Sequence, residues 1–569
     1  MTTFINLTKY RSSGEKETEF FNTANRIIIN DLNSLKKIPG CPFAYDVSQK
    51  LRDIFKNNKF ETYAKSFQGI ITGNNNTFLR LWFELSEKRI TFNAKSYTEI
   101  DLKDRFWVPY NKGGEFRKWY GNHDYVVSWD KQGKNFTRGK FQFKDYFFNE
   151  YFSWSYISTS TLATRYYPNG FLWDVHGSGA FPLDKNNLRY LIALVSSKTG
   201  LKILNIINPT ISFQVENILA MPVIFPNTKE IKNRIDILTQ ENIDISKEEW
   251  DSRETSWDFK INELFKHKDD SNKLEIAYKN YCAYWKEKFL KLHKNEEELN
   301  QLFIDIYNLN DELNNKVPLD EITILKEESE IKDDQLVFKK EVIVRQLLSY
   351  IVGCVFGRYN PEKQGRILAN QGETVKDFPI QSKFKPDVDN IIPINDKDYF
   401  PDDIVGKVKE FLKTYFGNNN ITENLDFIAS GIKGAGSSEE KIRRYFLKDF
   451  FSDHCRTYNK KPIYWLFTSG KNQGFNAIIY MHRYNKELLA KMRMDYLHVL
   501  QDRIDAKISM IKEDDARSQR DKEELMKQFE EMKKYDELLN HKSSEYIEID
   551  LDDGVTINHD KFKGLVEAI

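Results

Sequence analysis

Apolar residues recur every three or four positions at Leu497, Leu500, Ile504, Ile508 and Ile511, and again at Leu525, Phe529, Met532 and Tyr535. That period predicts two helices near the end of the chain. The polar stretch 513–521 between them breaks any heptad, so a helical hairpin or spacer is expected rather than a long zipper. The same spacing predicts helices over 46–57, 188–206 and 299–313 and around Tyr284 and Trp285. The most apolar run, 342–356, is interrupted by Arg345 and Gln346 and is too short to span a bilayer, so it reads as a buried helix. Alternation of period two marks strands at 79–83 and 211–215, and Trp465, Phe467, Ile478 and Ile479 fall at strand core positions.

Turn-forming clusters divide these elements at Ile38-Pro39-Gly40-Cys41-Pro42, at the Gly/Asn loop 68–78 and at Met221-Pro-Val-Ile-Phe-Pro226. Between the last two lies the segment 104–180, where aromatic residues are about twice as dense as in the chain overall and alternate with Arg, Lys, Gly and Asn. Its core is Arg105-Phe-Trp-Val-Pro-Tyr-Asn-Lys-Gly-Gly-Glu-Phe-Arg-Lys-Trp-Tyr120. Strand preference makes the segment sheet-rich. Two readings stay open for it. Its rings form a core and its charges a solvated face, or guanidinium groups and planar rings together grip nucleic acid through phosphate, guanine edges and base stacking.

At 569 residues the chain exceeds the usual limit of one hydrophobic core, so two to four domains are expected. Lys plus Arg total 85 and Asp plus Glu total 85, so no global field draws the protein to a polyanion or a membrane, and any such binding is local. The 4 cysteines are far apart and form no C-x-x-C pair, which argues against a zinc site and a disulfide framework and for a reducing cytoplasm. The N-terminus lacks the pattern of a signal peptide.

Most catalytic signatures are missing. Gly133-Lys134, Gly139-Lys140, Gly406-Lys407 and Gly470-Lys471 are followed by Asn, Phe, Val and Asn, which excludes a P-loop. Gly434-Ala435-Gly436-Ser437 lacks the third glycine and the preceding strand of a dinucleotide fingerprint. Methyl transfer to a base amine uses an Asn or Asp, two prolines and an aromatic to hold the flipped base. None of the 15 prolines is adjacent to another, and Asn208-Pro209-Thr210 and Asn360-Pro361-Glu362 fail as that loop. His454 and His482 sit in aromatic segments and read as satisfied structural residues.

Long motifs nevertheless point to a family. Trp107-Val-Pro-Tyr-Asn-Lys-Gly-Gly-Glu-Phe-Arg-Lys-Trp-Tyr-Gly121, the loop 68–78 and Asn208-Pro-Thr-Ile-Ser-Phe-Gln-Val215 resemble the target-recognition region of PglX, the adenine-specific DNA methyltransferase family of BREX phage-defence systems. The resemblance continues through Asp251-Ser-Arg-Glu-Thr-Ser-Trp-Asp-Phe259, Gly353-Cys-Val-Phe-Gly-Arg-Tyr359, Tyr445-Phe-Leu-Lys-Asp-Phe-Phe451 and the segment 461–484, and reaches Ile549-Asp-Leu-Asp-Asp-Gly554. With the elements above it gives an α/β (α+β) protein: a junction with a catalytic domain over 1–65, a mixed, sheet-rich target-recognition domain over 66–228 and a helical spacer over 229–334. An α/β domain over 335–496 and long helices with a tail over 497–569 then make a predominantly helical C-terminal region.

In the family a catalytic domain with an S-adenosylmethionine loop and an Asn-Pro-Pro-Tyr motif precedes this region, so the chain is expected to recognise DNA without itself binding the cofactor or transferring the methyl group. A split subunit, a truncation and a misplaced start would each produce such a chain. The resemblance and the basic, aromatic block make Arg105, Lys112, Arg117 and Lys118 candidates for phosphate or guanine contacts, Asn111 for adenine, and Trp119 for the same surface. Gly113 and Gly114 would permit close backbone approach, and Thr72, Asn74 and Asn75 would offer backbone donors or a plain turn. Expected partners are double-stranded DNA, a separate methyltransferase catalytic chain and other BREX proteins, in the cytoplasm and without a membrane. Two alternatives remain at this point: a complete S-adenosylmethionine-dependent enzyme with an unrecognised site, and a non-enzymatic scaffold of a defence complex.

Overall fold

The computed structural model describes residues 2–7, 9–29, 38–39, 47–136, 141–155, 162–210, 212–512 and 515–569. Among the described residues helix accounts for 48% and strand for 13%, which places the chain in the mixed α and β class. Strands β1 (Thr2–Ile5) and β2 (Arg26–Ile29) form an antiparallel ribbon. Eight further strands follow: β3 (Ala64–Phe67), β4 (Leu79–Leu81), β5 (Trp107–Asn111), β6 (Tyr125–Ser128), β7 (Tyr151–Trp154), β8 (Thr164–Tyr167), β9 (Leu172–Trp173) and β10 (Gly179–Pro182). They make two sheets, ordered β3-β10-β7-β8 and β4-β6-β5-β9. All pairings are antiparallel except β5 with β9, where Tyr110 faces Leu172 and Asn111 faces Trp173.

The aromatic residues of this region are mostly core. Tyr110, Tyr151, Tyr167, Trp173 and Phe181 form one buried cluster with contributions from both sheets. Ring centroids lie 5.6 Å apart for Tyr151 and Trp173 and 4.9 Å apart for Trp173 and Phe181, within the range where aromatic pairs attract beyond their area burial. The residues expected as a spacer pack against this region: the helices Lys229–Asp251 and Leu274–Ile306 send Glu249 and Glu296 into it. One continuous set of buried apolar residues passes from the sheets through these helices to the end of the chain.

Beyond them, β11 (Ser329–Lys332) and β12 (Gln335–Phe338) form a hairpin, and β13 (Ile392–Pro393), β14 (Tyr464–Thr468) and β15 (Asn476–Tyr480) form a sheet ordered β13-β15-β14. Trp465, Phe467, Ile478 and Ile479 occupy buried strand positions in it as expected. The 342–356 run lies in the buried helix Lys340–Val355, and the final pair is a hairpin of His498–Met510 and Ala516–Ser544. Among the described residues no single helix is long and apolar enough to cross a membrane.

Several boundaries differ from the periodicity. The 188–206 run is two helices, Leu188–Ser196 and Lys198–Ile207, bent by 72° at Ser197, whose hydroxyl caps the second by accepting from Gly200 N. The 79–83 strand stops at Leu81, where Trp82–Glu84 turns. Val215 opens a helix, Val215–Leu219, rather than ending a strand, and Ile211 lies outside the described residues. The helix expected over 299–313 ends at Ile306, and that over 46–57 is Gln49–Ile54. Gly40 to Asp46, including Cys41, also lie outside the described residues.

Candidate nucleic-acid interface

Because β5 and β9 run parallel, the loops that follow them leave the sheet at the same end. Asn111, the last residue of β5, is fully buried and uses all of its hydrogen-bonding capacity. Its Nδ2 donates to Tyr151 Oη at 3.2 Å and to the Gly177 carbonyl at 3.0 Å. Its Oδ1 accepts from Gly113 N at 2.9 Å and Tyr167 Oη at 3.0 Å. Lys112 Nζ donates to Asp174 Oδ2 at 2.5 Å, so the loop after β5 is tied to the residue after β9. Gly113 (φ +87°) lies against the His176 carbonyl and Gly114 (φ +124°) against the Asn122 side chain, leaving no room for a Cβ at Gly114.

Farther along, the loop plunges inward. Arg117 Nε donates to the Tyr120 carbonyl at 2.8 Å, its Nη2 pairs with Glu249, and its guanidinium lies 5.0 Å from the Trp250 ring centroid. Burial pushes the Glu249 carboxyl up, but Arg117, Arg253 and the Leu325 N–H outweigh it and hold the group at about 2. Glu296 takes both neighbours: Oε2 accepts from Lys118 Nζ and Oε1 from Trp119 Nε1, each at 2.8 Å. Trp119 joins the edge strand β8 through Trp119 N to the Thr164 carbonyl (2.7 Å) and Tyr166 N to the Trp119 carbonyl (2.8 Å).

Asn111, Arg117, Lys118 and Trp119 are thus buried and committed to protein partners. As placed here, none of the four meets a phosphate or base edge without first losing those bonds. Their burial corrects the picture of an outward basic face, since Arg117 and Lys118 point into the helices. What they provide is a fixed base for the loop 113–116.

The other candidates lie elsewhere. Arg105 is exposed before β5 and donates to the Ile90 carbonyl at 3.2 Å, a strand's length of about 20 Å from Lys112. Thr72 is buried and donates to Asn75 Oδ1 at 2.8 Å, while Asn74 Oδ1 accepts from Thr77 N and caps the short helix Asn75–Phe78. Asn74 and Asn75 are exposed, and Phe78 at the end of that short helix packs against Phe136, ring centroids 5.0 Å apart. Arg105 therefore stands at the opposite end of β5 from Lys112, while the turn 72–75 follows Ile70, which bridges to Asp174. Sequence reasoning missed Glu115 and Phe116, both exposed at the tip of the loop. The signal was the pair Gly113-Gly114, which breaks the strand and puts the next two residues on a turn.

Elsewhere, His454 Nε2 accepts from Ile463 N at 3.1 Å and Tyr464 N at 3.0 Å; burial and then Arg358 push its pKa down to about 3, so it is neutral. His482 is buried too and makes a 3.0 Å hydrogen bond with the Leu85 carbonyl. Among the described residues no group of His, Cys, Asp or Glu has the arrangement to hold a metal ion. The glycine loop 434–437 does not fit S-adenosylmethionine: it follows a helix, Ile421–Ser430, and Ser437 is spent capping Ser438–Lys448. A Cβ on Gly434 or Gly436 would already strike Arg444 or Glu440, so the space is filled by the protein's own side chains.

No protein-family model matches the chain. Over 98% of its length it is 34% identical to the adenine-specific methyltransferase PglX of Lacticaseibacillus casei (strain Zhang), of which it covers 48%. Over 94% it is 33% identical to the adenine-specific methyltransferase BrxX of Escherichia coli O9:H4 (strain HS), of which it covers 46%. The chain spans about half the length of the curated relatives it matches, and along nearly all of its own length it is similar to adenine-specific methyltransferases.

Proposed function

We propose that this chain supplies DNA target recognition for adenine-specific methyl transfer in a BREX-type phage-defence system, choosing the site rather than moving the methyl group. The observation that carries this reading is the similarity to two adenine-specific methyltransferases along almost the whole chain, in 569 residues without adjacent prolines for a base-amine loop. The rigid aromatic sheets and their anchored loop support it, because a reader of base edges needs side chains held on a scaffold that does not yield. On this reading the ligand is double-stranded DNA, S-adenosylmethionine is bound by a catalytic domain outside these residues, and the working partners are that domain and other BREX proteins.

Fluorescence anisotropy of the whole chain with a labelled duplex, across a salt series, tests the proposal. Binding that weakens steeply and linearly in log–log form with salt is expected from displaced counterions. Absence of duplex binding at low salt overturns the proposal and favours the scaffold. Adenine methylation by these residues alone, with labelled S-adenosylmethionine, overturns the division of labour and favours a complete enzyme.

A further inference from the structure

In the region 66–228 the described Phe, Tyr and Trp rings are buried or half-buried except Phe116, which the fold leaves at 42% exposure. It sits beside Glu115, whose carboxylate is exposed and pairs with no cation among the described residues. Among the described residues nothing accepts from the backbone N–H groups of Gly114, Glu115 and Phe116. A ring and a carboxylate therefore stand exposed side by side at one loop tip.

The tip is held, not loose. Asn122 Nδ2 donates to the Glu115 carbonyl at 2.9 Å, and the buried pairs of Arg117 and Lys118 follow directly. Five residues between 113 and 122 adopt positive φ: Gly113, Gly114, Trp119 (+72°), Gly121 and Asn122 (+60°). A tryptophan there is disfavoured and persists only where its surroundings over-determine it, as they do at functional sites. The construction keeps an apolar ring in water, where an isolated loop would fold it away.

We propose that Glu115 and Phe116 are the base-reading pair of this interface, an assignment that rests on the DNA-recognition reading above. Phe116 stacks on a base or wedges between base pairs, a use open to any ring on a rigid tip. Glu115 accepts from the exocyclic amine of adenine or cytosine. A carboxylate facing duplex DNA is repelled by phosphate, so its favourable place is in the groove, where base amines donate.

The test is selection from a random-sequence duplex pool by the full chain, compared with Phe116→Ala, Phe116→Trp and Glu115→Gln, with affinity measured on the enriched sequence. Phe116→Ala is expected to lose about 10-fold or more in affinity, as for a base-stacking ring, and Phe116→Trp to retain it. Glu115→Gln is expected to change the preferred base at one position while leaving the salt dependence unchanged. Thermal midpoints equal to wild type confirm folding, since both side chains are exposed. If the wild-type chain enriches a motif and the variants keep the same motif and affinity, this pair is overturned while the recognition function stands. If the wild-type chain binds no duplex, both fall.

Discussion

Lys118 is a surface residue by type and an interior one by position. Its ammonium, at 5% side-chain exposure, meets Glu296 at 3%, and that carboxylate also holds Trp119. A buried ion pair adds little net stability when formed, because desolvation offsets the attraction, yet removing one partner strands the other charge in a poor solvent. Lys118→Ala is therefore expected to cost about 3 kcal/mol of unfolding free energy, read as a lower urea midpoint. A variant that keeps its midpoint and instead loses DNA affinity would place Lys118 on the ligand. Nothing in the string Phe116-Arg-Lys-Trp119 distinguishes the two roles, since the carboxylates that claim Arg117 and Lys118 lie more than a hundred residues away. Asn111 is similar: its four bonds come from residues 113 to 177, and its type alone suits a base edge equally well.

Elements follow from local pattern where an apolar run or a single apolar stripe marks them. The buried helix Lys340–Val355 and the hairpin His498–Met510 with Ala516–Ser544 follow their apolar spacing. The break at Ser197 is invisible to that spacing, because the apolar positions on both sides stay in helical phase while a serine cap bends the axis. Pairing depends on close approach as well. Gly69 lies so near β9 that a Cβ there would stand 1.9 Å from the Trp173 carbonyl oxygen, the same oxygen that accepts from Ile70 N at 2.8 Å. Gly69→Ala is expected to cost at least about 2 kcal/mol through the shift it forces on the backbone, measured by urea unfolding. A neutral effect would show that this edge of the sheet gives way.

Across the whole molecule the tail closes onto the sheets. Asp552 accepts from Arg89 Nη2 at 2.6 Å and Trp107 Nε1 at 3.1 Å, and Glu84 accepts from Val555 N at 2.8 Å, so residues separated by more than four hundred positions are bonded together. Three carboxyls inside this body are pushed up to about 7. Burial is the main cause for Asp124 and Glu254, and burial followed by Asp389 for Asp387. In the unfolded chain such groups titrate near 4, so the folded state binds protons more tightly. The stabilisation is complete below the unfolded value and is lost as pH rises through about 7. Glu254→Gln mimics the protonated form, so its thermal midpoint is expected to fall less than that of wild type between about pH 5 and pH 8. Equal slopes would show that Glu254 is already ionised in the folded protein. Glu249, held at about 2, acts in the opposite sense and loses its contribution only as acid brings the pH below about 4.

The sequence by itself determined the mixed α and β class, the buried helix, the terminal hairpin, the strand positions of the last sheet and the density of rings between 104 and 180. Each of these depends on residue type and on neighbours three or four positions away, or two. Tertiary structure alone decided which of the basic and aromatic residues face outward, because burial is set by partners distant in sequence. It turned Asn111, Arg117, Lys118 and Trp119 inward as anchors and left Glu115 and Phe116 at the tip, since three glycines together with Trp119 and Asn122 adopt positive φ and fold the loop back on itself.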